Sequence, residues 1–148
     1  MDFFSKRFEE WKGQWADPSK MELSDYISFN LHPEDFLIFS SLLFPELIEV
    51  DGCVFFKTHY NPDSYSRWKK ALYEDRSAIE KMINHVHVYD LFDHRSGNVS
   101  ESVFDEVGKL LQTSWSCYFR FKYPEWQIAV EYSNSDQDYG PTLYVYRK

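Results

Sequence analysis

Asp51-Gly52 separates the apolar runs Leu47-Ile-Glu-Val50 and Cys53-Val-Phe-Phe56, and no other pair in the chain narrows the fold as much. A two-residue turn between antiparallel strands needs φ > 0 at both central positions, and Asp-Gly meets that need with little strain. A hairpin over residues 47–56 follows. A second β signal fills the last fifth of the chain. Cys117, Phe119, Phe121 and Tyr123 alternate with Tyr118, Arg120 and Lys122. Beyond Pro124-Glu125, Trp126, Ile128, Val130 and Tyr132 alternate with Gln127, Ala129 and Glu131. After a polar stretch at 133–141, Leu143 and Val145 alternate with Tyr144 and Tyr146. Period-two alternation marks a half-buried strand. It predicts a three-stranded meander over 115–146, with Phe119, Phe121, Trp126, Ile128 and Val130 in the core.

Helical spacing accounts for much of the remainder. Phe4, Phe8, Trp11 and Trp15 form one stripe over residues 3–15, opposite a face of mixed charge that suits packing on the body better than a membrane. Residues 31–44 read as a second helix. Pro33 suits its first position, and Glu34 and Asp35 its first turn. Phe36, Leu37, Ile38, Phe39, Leu42 and Leu43 make it apolar nearly all round, so deep burial is expected. Asn61-Pro62-Asp63 opens a third helix, which the stripe Tyr65, Trp68, Leu72, Ile79, Ile83 carries to about residue 83. A short strand begins at His85. Asn98 or Ser100 then caps a fourth helix, lined by Val103, Phe104, Val107 and Leu111 and ending before Trp115. The order predicts an α+β fold: one domain over 1–148, a mostly antiparallel sheet of hairpin, short strand and C-terminal meander, covered by helices.

Charge limits the partners. The 148 residues carry a net charge of -8, against the basic clustering that nucleic acid or anionic lipid selects. No secretory leader and no bilayer-length apolar run is present, so a cytoplasmic chain without a membrane partner is expected. Cys53 and Cys117 lie within apolar runs and read as buried, reduced thiols.

Among catalytic signals, His85-x-His87 is the sharpest. Two histidines at i, i+2 on a strand share a side, and with Asp90 and His94 they suggest a metal-dependent hydrolase as the alternative reading. Asp90 has the wrong parity to join them on a regular strand. There is no Gly-rich phosphate loop and no Gly-x-Ser-x-Gly elbow, and neither catalytic residue nor cofactor is expected.

The stronger signal is electrostatic. Between Met21 and Phe56 there is no Lys or Arg, while Glu22, Asp25, Glu34, Asp35, Glu46, Glu49 and Asp51 are acidic. A second group, Asp136, Asp138 and Tyr139, precedes the last strand. Carboxylates that steer a cationic protein, beside aromatics that anchor it, are what such an interface needs. These ten residues are the expected partner-binding set.

Phe44-Pro-Glu-Leu-Ile-Glu-Val-Asp-Gly-Cys-Val-Phe-Phe56 is followed by Tyr65-x-x-Trp68, then Ile83-Asn-His-Val-His-Val-Tyr-Asp90, Trp115 and Phe121-x-Tyr-Pro-Glu-Trp126. The series resembles the small, acidic, aromatic-rich immunity proteins encoded beside bacterial polymorphic or contact-dependent toxins. That resemblance implies a non-enzymatic protein that binds and blocks one cognate toxin domain with a basic surface, often a nuclease.

Overall fold

Packing divides the chain after Leu42 in the computed structural model, which describes residues 5–92, 99–135 and 137–148. In the first unit, Ser5 caps helix α1 (Lys6–Lys12) by accepting from the Phe8 amide. After a 3-10 turn at Pro18–Lys20 comes α2 (Leu23–Asn30), and then α3 (Pro33–Leu43) runs to the boundary. α1 and α2 meet through rings: Tyr26 lies edge-on to Phe8 and Trp11, with centroids 5.7 and 5.3 Å away, and Phe29 lies 5.3 Å from Trp15. Phe8 and Trp11 thus pack on α2, and Phe4 lies outside the described residues. α2 has no counterpart in the sequence reading.

α3 forms where expected but is not buried. Phe36 and Leu37 are each 68% exposed and Ile38 is 70% exposed. A helix apolar on every side needs cover on every side, and the chain supplies cover chiefly near its end, at the half-buried Leu42 and Leu43.

The second unit starts with the hairpin β1 (Leu47–Val50) and β2 (Cys53–Phe56), in which Leu47 faces Phe56 and Val50 faces Cys53. Asp51 and Gly52 have φ of 51° and 79°, as the Asp-Gly turn requires. Asn61 caps α4 (Pro62–Ala71), its Oδ1 accepting from the amides of Asp63 and Ser64. The single helix expected over 61–83 is in fact two. Tyr73 and Glu74 take left-handed φ of 51° and 63°, and Asp75 caps α5 (Arg76–Ile83) through the Ala78 amide. The apolar stripe already skips there, since Asp75 and Arg76 occupy the turn between Leu72 and Ile79.

β3 (Val86–His87) leads into a 3-10 turn at Val88–Leu91. α6 then runs Glu101–Lys122, through the residues expected to form the first meander strand. Its buried residues Gly108, Leu111, Trp115 and Phe119 are spaced three, four and four, so the helical period governs. Phe119 is buried as expected, but on a helix; Phe121, also expected in the core, points to solvent at 85% exposure. Cys117 is likewise exposed rather than buried, whereas Cys53 is buried. Ser100 occupies the N-cap position of α6 without capping a backbone amide, and Asn98 lies outside the described residues.

After a 3-10 turn at Pro124–Trp126, β4 (Ile128–Ser133) pairs antiparallel with β5 (Thr142–Arg147). The three-stranded antiparallel sheet is therefore ordered β3-β5-β4, its third member drawn from residues 86–87. Leu143 and Val145 are fully buried; Trp126, Ile128 and Val130 are half-buried, and Ala129 takes the inner position. α6 crosses this sheet closely. A Cβ on Gly108 would lie 2.6 Å from the Tyr132 ring, which explains glycine inside a helix. The fold is α+β, with helices over two small antiparallel sheets.

Candidate functional site

The expected acidic surface resolves into parts with different local chemistry. On the hairpin, most carboxylates already have cations. Lys57 Nζ lies 2.8 Å from Glu46, and this pairing holds the Glu46 carboxyl below its ordinary range. Arg147 pairs with Glu49 and also donates to the Gly52 carbonyl at 3.3 Å. Asp51 has Lys69 at 3.6 Å and accepts from the Tyr65 hydroxyl at 3.2 Å. Burial, with Cys53 and Asp51 alongside, pushes the Tyr65 phenol up to about 12. Exposed pairs of this kind contribute little to stability, but they leave less negative field for a partner.

Asp138 is committed to its own loop. Its carboxylate accepts from Ser133 Oγ at 2.5 Å, Ser135 Oγ at 2.7 Å and the Tyr144 hydroxyl at 2.8 Å. Those bonds to the charged form lower it to about 2. They tie Ser133, Ser135 and Tyr144 to Asp138, beside Tyr139, which is 56% exposed with its ring 5.8 Å from His87 and 5.6 Å from Tyr89. Asp136 lies outside the described residues.

Residues 22–35 differ. The Glu22 amide donates to Asp25 Oδ2 at 2.8 Å and the His32 amide to Asp35 Oδ2 at 3.0 Å, so both aspartates brace helix starts. The Glu34 amide donates to His32 Nδ1 at 3.3 Å, which requires that nitrogen's lone pair. The Glu34 carboxylate lies 3.9 Å from the same nitrogen, and no Lys or Arg occurs between Met21 and Phe56. Four acids without a Lys or Arg among them flank Leu23, Ile27, Phe29, Leu31 and the exposed side chains of α3. More than half of the large apolar side chains exposed among the described residues fall between Leu23 and Phe44. The acids here belong to the expected partner-binding set; the exposed apolar residues of α2 do not. The i, i+4 pair Leu23 and Ile27, with Asp25 three residues after Glu22, is the signal that reveals them.

His85 and His87 come together as parity requires, with ring centroids 4.9 Å apart. His85 Nδ1 contacts the Met82 carbonyl at 2.6 Å and His87 Nδ1 contacts Thr142 Oγ1 at 2.9 Å. Asp90 is exposed on the 3-10 turn after β3, and His94 lies outside the described residues. Among the described residues no group of three His, Cys, Asp or Glu side chains is placed to hold a metal ion. No helix among them is long and apolar enough to cross a membrane.

No curated protein and no solved structure matches the chain. The model of the Uncharacterized protein PM0498 family matches residues 39–123, more than half of its length, from the second half of α3 to the end of α6, and the chain belongs to that family.

Proposed function

We propose that this chain is a cytoplasmic, non-enzymatic immunity protein that binds and neutralises a cognate bacterial toxin, a nuclease, through an acidic and aromatic surface. One observation carries the reading: the base-free acidic run between Met21 and Phe56 also exposes more than half of the large apolar side chains that are exposed among the described residues. Apolar groups left in water mark an interaction surface when they are contiguous. Carboxylates around them select a cationic partner and raise its association rate. A nuclease cleft has the Lys and Arg to match, because it must hold phosphate. The likeness of residues 44–146 to immunity proteins supports the same reading.

The test is genetic and biochemical. The reading frame next to this one is expressed with and without the chain. A toxin domain that forms a stoichiometric complex with the chain, and whose lethality the chain suppresses, is expected. If the neighbour is a metabolic enzyme and no complex forms, the reading falls.

A further inference from the structure

We infer that the exposed surface of α3 receives a cationic amphipathic helix of the partner, seated by apolar burial and flanked by Lys or Arg. This deepens the protein-binding reading above and rests on it. Glu46, Glu49, Asp51 and Asp138 already have partners within the fold, so a purely ionic interface built on them has little to offer. On α3 the balance reverses: Phe36, Leu37 and Ile38 are more than two-thirds exposed, and they directly follow Glu34 and Asp35.

Charge selects the occupant. A symmetric contact between two copies of α3 would gather Glu34 and Asp35 of both copies at one interface, and no Lys or Arg lies between Met21 and Phe56 to compensate them. Like charges juxtaposed at an interface cost affinity. An anionic bilayer meets the same repulsion. A helix with an apolar stripe and basic edges satisfies both features at once. α3 has 11 residues, so a segment of about 11–16 residues, at 1.5 Å rise each, spans it.

The probe is a synthetic peptide of about 16 residues with Leu at i, i+3, i+4, i+7 and Lys elsewhere, titrated into the full chain by fluorescence anisotropy. Two controls replace every Lys by Glu, or every Leu by Ala. Binding of the Leu/Lys peptide about tenfold or more tighter than either control is expected. Phe36→Asp with Ile38→Asp should weaken it at least about tenfold. Glu34→Lys with Asp35→Lys should weaken it most at low salt. Because Phe36 and Ile38 are exposed, the double variant should retain the wild-type circular dichroism, and the charge reversal serves as an independent check. Equal binding of the Leu/Glu peptide, or unchanged binding by either double variant, overturns the proposal. So does a wild-type dimer that Phe36→Asp with Ile38→Asp converts to monomer, or wild-type binding to zwitterionic vesicles, since either would reassign the occupant. Failure here with an intact toxin complex would move the interface and leave the immunity reading standing; loss of both would end both.

Discussion

Glu80 on α5 and Asn84 at its C-cap, one turn apart, together bind the backbone of two different sheets. Glu80 accepts from the Val54 amide on β2 at 2.8 Å and from the Arg147 amide on β5 at 2.6 Å. Asn84 accepts from the Phe56 amide at 3.0 Å and donates to the carbonyls of Val54 at 2.8 Å and Val145 at 3.0 Å. β2 and β5 are not paired with each other, so these two buried side chains stand in for the missing ladder.

Replacing Asn84 by Ala orphans one amide and two carbonyls in the interior. With about 1–3 kcal/mol for each buried group left unpaired, the loss should be about 3 kcal/mol or more. Urea unfolding monitored by Trp fluorescence should show a lower midpoint with an unchanged slope.

Glu80 makes a pH signature. Burial, opposed by the hydrogen bonds from the Arg147 and Val54 amides, raises its carboxyl above the ordinary 4.5. The native state therefore holds this proton more tightly than the unfolded chain does. The contribution to stability is full below the unfolded value and is lost as pH rises through the folded one. Glu80→Gln removes the titration, though its amide leaves one of the two backbone N–H donors without an acceptor. The stability of the wild type minus that of Glu80→Gln should fall as pH rises from 4.5 toward neutrality; a rise over that range would contradict the assignment.

Local chemistry made part of this fold legible in the sequence. Asp51-Gly52, Pro33 and Asn61-Pro62 act on their own neighbours, and each stands where its turn or cap was expected. Residues 117–123 misled because one set of aromatics fits both periods. The absence of Val, Ile and Thr from 114–123 favoured the helix, and burial of Trp115 and Phe119 on a single stripe decided it. At the candidate site, the acids were visible but their partners were not. Glu49 meets Arg147 across nearly the whole second unit, a pairing that no local pattern announces. Exposure of α3 is equally invisible to periodicity, since an apolar helix reads the same covered or bare.

Gly140 has φ of 69°, and a Cβ there would lie 2.2 Å from the Tyr89 ring. Ala at this position combines backbone strain with a clash, for an expected cost of about 2–4 kcal/mol. Tyr89→Ala should relieve only the clash. A double-mutant cycle in thermal unfolding should therefore show coupling between the two sites; strict additivity would place the ring elsewhere.

Asp138 works in the opposite sense to Glu80. Its carboxyl is held at about 2, below the unfolded 3.8. The stabilisation is present above the unfolded value and lost as pH falls toward the folded one. Asp138→Asn should flatten the acid limb of the stability curve between about pH 4 and 2 and speed amide exchange at 134–141. An unchanged acid limb would show that the three hydroxyl bonds do not hold in solution.

Toxin neutralisation by the exposed surface of α3 is tested most directly by survival. Cells expressing the neighbouring toxin domain are given the wild-type chain or the chain carrying Phe36→Asp and Ile38→Asp, at equal, folded levels. The expected result is protection by the wild type and a loss of survival of about a hundredfold or more with the variant, matching about 3 kcal/mol of lost binding. Protection by the variant equal to that of the wild type would contradict it.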